Sequence, residues 1–356
     1  MGPLDGVRVL EFAGSAPTAF VGTVLSDLGA DVVRIDRAAA APEAARTPNP
    51  LARGRRSVVI DLKSTSGVQT VLSLAEHADV LIEGFRPGVA ERLGIGPKEA
   101  QDRNPRLVYG RLSGWGQTGE WAERTAHDLA VLALTGALDT DPETGAPVLP
   151  PAAYLSSFAG GGMAHVQALL AALYERSISG TGQVVDTALS DGAALVTTLV
   201  HQWRNAPGVH TVTDAPHYAV YECADGRYMA VAAIEPRLYQ ALLVQLDLQD
   251  EPGLADRDDP AQWELLREQI AAKFRKHDSS HWEKIFAEVD AGTVPVFSVE
   301  EAVEHPQLTA RHAFIEVDGT QQVAPASRFG RTPLSAPGPS PVPGEHTKAV
   351  LAEWVR

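Results

Sequence analysis

The feature that most constrains this chain is a strand–helix–strand alternation running from Val7 to Leu112. Val7-Arg-Val-Leu-Glu-Phe-Ala13 is a short apolar run of the kind buried in a sheet, Thr18–Leu28 carries apolar residues at helical spacing and stops at Gly29, and Ala30-Asp-Val-Val-Arg-Ile-Asp36 is a second strand. Such a unit implies a parallel pair with a right-handed crossover. The pattern repeats with Ser57–Leu62, Gly67–Ala78 and Asp79–Phe85, then a short helix from Pro97 and a strand at Arg106–Leu112. The expected fold class is α/β: a large domain built on a doubly wound, mainly parallel sheet.

Helical patterns at Ala126–Leu138, Gly160–Arg176 and Asp191–Trp203 flank one more strand, Val184–Leu189. After Asn205-Ala-Pro-Gly208 the rhythm changes. Tyr218–Cys223 and Arg227–Ala233 flank Ala-Asp-Gly, a hairpin signal, and three helices and a second hairpin (Phe314–Val317 with Gln321–Val323) follow. The expected organisation is a large domain over 1–200, a linker over 201–217, a smaller α+β domain over 218–325, and a return to the large domain over 326–356 that ends in a helix.

Composition narrows the function. A net charge of -15 repels nucleic acid. The single cysteine, Cys223, leaves no disulfide framework or cysteine-based zinc cluster. His201, His210 and His217 lack metal-ligand spacing, so no metal site is expected. There is no signal-peptide pattern and no apolar run near the roughly 20 residues a bilayer requires, so the expected location is the cytoplasm, with no membrane partner.

Gly114-Trp-Gly-Gln-Thr-Gly119 spells GxGxxG after a strand, but the polar Glu-Trp-Ala-Glu-Arg-Thr follows where a phosphate-binding helix would have to start; a structural turn is expected. His127-Asp128 opens an apolar segment. The pair has two readings: a packed histidine beside a carboxylate that complements the helix dipole, or a general base, since a helix N-terminus disfavours imidazolium. Gly160-Gly161-Gly162 either lets helices pack closely or leaves amides free as an oxyanion site. Glu235 is a cap or a carboxylate that holds a catalytic histidine. Arg37, Arg55, Arg56, Lys63, Arg86 and Arg92 lie near strand and helix ends, as solvated cations or as phosphate ligands.

Taken together, LDGVRVLEFAG, DLGADVVRID, DLKSTSG, DVLIEGFRPGVAERLG, GRLSGWGQTG, the His-Asp pair, GTGQVVDTALSDG and YECADGRYMAVAAIEP resemble the family III CoA-transferases, most closely the α-methylacyl-CoA racemase branch. The resemblance covers nearly the whole chain. It implies an interlinked homodimer and an acyl-CoA substrate, with coenzyme A only as part of that substrate and no further cofactor. It places CoA contacts at Arg37, Leu62, Lys63, Gly84, Phe85, Arg86 and Arg92, the base at His127 and its supporting carboxylate at Glu235. In the racemases a His and an Asp flank the thioester's α-carbon, and one takes the proton that the other returns.

The chain departs from that pattern. Ser157 stands where racemases and transferases carry the aspartate, Ala130 and Val131 replace Asn and Tyr, and His217 takes a usual aromatic position. A serine can neither titrate usefully near neutrality nor form a transferase's acyl anhydride. With Met1, Met163 and Met229 as its only methionines, the chain also lacks the Met-lined acyl surface. The reading that follows is a racemase-like enzyme with His127 as main base. The second proton donor is His217, a water on Ser157, or absent, and the enolate is steadied by Gly160–Gly162 or around Asp128. The alternatives are a CoA-transferase and a relative repurposed or without activity.

Overall fold

The computed structural model describes residues 2–37, 49–140, 147–148, 155–199, 202, 215–251, 254 and 257–355. His201, His210 and most of the 201–217 linker lie outside them. The chain divides into two compact units, residues 1–198 with 309–356, and residues 199–308.

The first unit begins β1 (Arg8–Phe12), α1 (Ala16–Asp27), β2 (Asp31–Asp36), β3 (Arg56–Val59), α2 (Thr65–Ala75), β4 (Val80–Glu83), α3 (Val89–Leu93), α4 (Pro97–Arg103) and β5 (Val108–Ser113). It continues with α5 (Asp128–Leu134), the paired two-residue strands β6 (Asp139–Thr140) and β7 (Pro147–Val148), a π-helical segment (Leu155–Gly162), α6 (Met163–Ser179), β8 (Val184–Ala188) and α7 (Leu189–Val196). Ser15 and Ser64 cap α1 and α2, each accepting from the amide three residues on, which fixes where those helices start.

The six-stranded sheet is parallel throughout, in the order β3-β2-β1-β4-β5-β8. Alternation along the strands sends Leu10, Phe12, Val33, Ile35 and Leu81 to one face, against α2 and the C-terminal helix. It sends Val9, Val32, Val80, Ile82 and Val108 to the other, against α1, α5 and α6. Burial on both faces is why these strands read as continuous apolar runs. A buried ion pair crosses the second interface: Arg55 meets Glu11 of β1 at 3.1 Å and also donates to Ala19 O and Thr23 Oγ1 of α1. Burial pushes the Glu11 carboxyl up to about 7 despite that partner.

The second unit contains β9 (Tyr218–Glu222), β10 (Tyr228–Ala232), α8 (Pro236–Gln245), α9 (Trp263–Phe274), α10 (Ser279–Glu288), β11 (Thr293–Pro295) and α11 (Val299–Glu304). Its antiparallel sheet, ordered β11-β10-β9, packs through Tyr221, Met229 and Val231 on Tyr239, Leu242, Phe274 and Trp282. Strand β11, three residues long, was not expected from its sequence; Thr-Val-Pro carries too little alternation to be read.

After α12 (Pro306–Ala310) come the hairpin β12 (Phe314–Val317) and β13 (Thr320–Val323), then α13 (Thr347–Trp354). The expected smaller domain reached 325 and included this hairpin, yet the hairpin belongs to the first unit. There, Arg53 donates to Val323 O at 2.6 Å and to Gln322 Oε1 while its other nitrogens bind Asp27. A pairing between residues 270 apart cannot be seen in local pattern. Helix α13 closes the sheet's first face with Val350 and the fully buried Trp354.

Candidate active site

In this strand order the direction of winding reverses between β1 and β4, and the crevice at the carboxyl ends of those strands is where doubly wound sheets place ligands. Gly84, just past β4, lies hard against the start of α1. A Cβ there would sit 2.6 Å from Thr18 Cγ2 and 3.0 Å from Ser15 Oγ, so only glycine lets the two ends meet. Phe85 rests on Phe12 with ring centroids 5.4 Å apart. Buried Glu83 braces this turn, accepting from Phe85 N at 2.6 Å and from Arg111 Nε at 3.0 Å.

The chain leaving β5 at the same edge makes a long turn before α5. Gly116 and Gly119 have φ of 82° and 102°, left-handed values that suit glycine, and no helix starts until Asp128. The GxGxxG motif is therefore a turn, as expected, and it delivers His127. That residue is the N-cap of α5, extended (φ -126°, ψ 159°), with an exposed ring that makes no capping bond. Asp128 turns the other way. Its Oδ1 accepts from Ser156 Oγ and from the Ser157 amide, both at 2.7 Å, fastening α5 to the first turn of the π-helical segment.

The glycine triplet requires a correction. Of the two readings of Gly160–Gly162, close packing or free amides as an oxyanion site, the second fails: the helix opens at Leu155 and the triplet lies inside it, so these N–H groups are spent on the helical ladder. The glycines serve close approach instead. A Cβ on Gly160 would stand 2.8 Å from the carbonyl of Gly192 in α7, and one on Gly161 2.4 Å from Leu189 Cδ2. Gly160→Ala should accordingly lower unfolding free energy by about 1–3 kcal/mol, read as a lower denaturant midpoint at unchanged slope.

Two expected site residues belong to the second unit. Glu235 is the exposed N-cap of α8 and makes no capping bond. His217 is buried, its carbonyl bonded to Ala233 N and its ring 5.9 Å from that of Tyr239. Burial and the Arg257 charge hold its pKa below the usual histidine range. A further histidine, His165 on α6, is fully buried with Nδ1 2.8 Å from Thr187 Oγ1; burial pushes it down to about 4, which keeps it neutral and structural. Among the described residues no group of three or more His, Cys, Asp or Glu could hold a metal.

A family model of CoA-transferase family III matches residues 4–347. The chain belongs to that family. It is 40% identical to alpha-methylacyl-CoA racemase of Mus musculus over 99% of this chain and 93% of the mouse chain, and 37% identical to the Homo sapiens racemase with the same coverage. The crystal structure of Rv3272 from Mycobacterium tuberculosis superposes with a TM-score of 0.84 at 28% identity, covering 99% of each chain.

Of the basic residues singled out in the sequence, Arg37, Lys63, Arg86 and Arg92 are exposed; Leu62, Gly84 and Phe85 are half-buried. Arg86 Nη2 donates to Thr125 Oγ1 at 2.7 Å, two residues before His127. Arg55 and Arg56 are spent on structure, the first on Glu11 and the second on Asp31 and Glu353. Ser156, unremarked in the sequence, emerges as a fully buried partner of Asp128; the doubled serine ahead of three glycines is the only signal that could have found it. Among the described residues no helix is long and apolar enough to cross a membrane.

Proposed function

We propose that this family III protein is an enzyme that labilises the α-proton of a 2-methylacyl-CoA thioester, an isomerase of the racemase kind. The observation that carries the reading is His127: its ring is exposed and makes no bond at the start of α5, and it is delivered there by the loop that leaves the carboxyl end of β5. The imidazole of His127 takes the proton, the C–H electron pair moves into the bond to the thioester carbon and the carbonyl electrons shift to oxygen as an enolate; the enolate then collapses as the α-carbon regains a proton, from the same imidazolium or from a water on the Ser157 side, and the imidazolium gives its proton up to restore the base. With the glycine amides engaged, the enolate is steadied by the backbone N–H groups at the start of α5, around Asp128, and not by the Asp128 carboxylate, which holds Ser156 and Ser157. The anionic phosphates of coenzyme A are held by Arg37, Lys63, Arg86 and Arg92, with Leu62, Gly84 and Phe85 completing the contact. The curated relatives named as racemases support this choice over transfer. Ser157 cannot form the acyl adduct that transfer requires.

The test is exchange of the α-proton in D2O, followed by NMR, with hydroxylamine added in parallel to capture an acyl adduct. Exchange without adduct is expected; an adduct without exchange would make the chain a transferase. Ser157→Asp should then raise racemisation on the order of 10²-fold, measured by chiral analysis of the product, because it supplies an acid on the second face. An unchanged rate would mean that Ala130 and Val131 have already remade the pocket.

A further inference from the structure

We propose that Asp128 is a positioning residue for the proton transfer, acting through the backbone of Ser157 and through its neighbour His127; this rests on the reading of His127 as the base. One carboxylate oxygen, Oδ1, takes both the Ser156 hydroxyl and the Ser157 amide at 2.7 Å. Ser156 is fully buried, and the Ser156 hydroxyl also lies 3.4 Å from the backbone carbonyl of Asp128 itself. The first turn of α5 and the first turn of the π-helical segment are thereby joined, through Asp128 alone on one side and the adjacent Ser156 and Ser157 on the other. His127 is one peptide from the clamp on one side, and Ser157, where the racemases carry their second acid, is held by its own amide on the other.

The clamp therefore fixes the separation between the backbones that carry the two proton-handling positions. Proton transfer from carbon needs the reacting atoms about 3–3.5 Å apart, and a shift of about 1 Å can cost on the order of 10²-fold. The π-helical start needs this tie. Its first amides have no partner in the helix, and the glycines that follow approach α7 (Gly160 and Gly161) and Phe20 of α1 (Gly162) rather than α5. Asp128 is the link across to the histidine. The other carboxylate oxygen, Oδ2, is buried and makes no bond, so both bonds to Ser156 and Ser157 run through Oδ1. One acceptor oxygen at this place does the work.

That distinction sets the experiment. Asp128→Ala should lower kcat for α-proton exchange on the order of 10²-fold. KM for 2-methylbutanoyl-CoA and Kd for free CoA, by titration calorimetry, should stay within about twofold, because ground-state binding does not run through the clamp. Asp128→Asn keeps the acceptor oxygen and should restore kcat to within about threefold of the natural chain, asparagine and aspartate being near-equivalent caps. Hydrogen exchange of the Ser157 amide should lose protection in Asp128→Ala and keep it in Asp128→Asn. Ser156→Ala, which removes one of the two bonds and leaves Asp128 in place, should lower kcat partially. It carries the test if the alanine variant at 128 does not fold. Natural-rate exchange in Asp128→Ala, or an asparagine variant as slow as the alanine one, overturns the proposal. Exchange that survives His127→Ala overturns the reading of the base instead, so the two failures are told apart.

Discussion

His127→Ala should lower the rate of α-proton exchange from a 2-methylacyl-CoA by about 10²–10⁴-fold, with free CoA bound as tightly as before. The size follows from what the side chain does. A thioester α-proton is removed slowly by water, and a positioned imidazole contributes that range in proton-transfer reactions generally. The substitution also isolates chemistry from folding. His127 is exposed and its ring does not cap α5, so truncating it exposes no core and breaks no helix-starting bond. The helix keeps its first backbone bond, Val131 N to His127 O, which alanine also supplies. The measurement is deuterium uptake by NMR beside the thermal midpoint. Exchange at the natural rate in a folded His127→Ala protein would remove the base from the proposed mechanism.

Arg55→Met should cost about 3–5 kcal/mol of stability, the largest structural effect expected of any single replacement here. The Arg55 side chain is inaccessible to solvent and so is that of its partner, Glu11. Removing the cation strands a carboxylate between β1 and α1, where Gly22 leaves no spare room: a Cβ there would stand 2.1 Å from Glu11 Oε2. The effect has a sign with pH. Burial raises the folded carboxyl to about 7 from an ordinary value of 4.5, so folded protein holds the proton while unfolded chain has lost it. This group's stabilising contribution is therefore full below about 4.5 and is lost as pH rises through about 7. In Arg55→Met the dependence steepens, and the penalty measured by denaturant unfolding should be smaller near pH 5 than near pH 8. Replacing both partners, as Glu11→Leu with Arg55→Met, should recover part of the loss, since paired removal leaves no uncompensated charge. A penalty independent of pH would show that Glu11 is not the group left unpaired.

How much of this was legible varies with the range of the interaction. The parallel sheet was readable because both of its faces are covered, so Val9-Leu10, Val32-Val33 and Val80-Leu81-Ile82 put apolar residues on successive positions, with Glu11 and Arg34 as the charged exceptions. The second unit's first hairpin was readable because Ala-Asp-Gly sits in the turn, with Gly226 at φ 75°. The π-helical segment was not, because Leu-Ser-Ser-Phe-Ala looks like any helix lead-in and nothing in its local pattern sets the wider winding. The two readings of Gly160–Gly162 could not be separated for a related reason: a glycine triplet marks a close approach without saying whether a ligand or another backbone makes it. The basic residues were also ambiguous one by one. Arg55 and Arg86 are both arginines near strand ends, yet one meets a buried glutamate and the other stays at the crevice edge.

By itself the order of residues determined the α/β class, the family, and the presence of His127 at a helix start with serine at 157, because each is written in local pattern or in motifs a few residues long. Tertiary structure alone decided what Asp128 does, where the glycines point their missing side chains, and which unit holds the Phe314–Val323 hairpin. Those facts depend on contacts between residues tens to hundreds of positions apart, and no local periodicity encodes which of several equally suitable partners a side chain will meet.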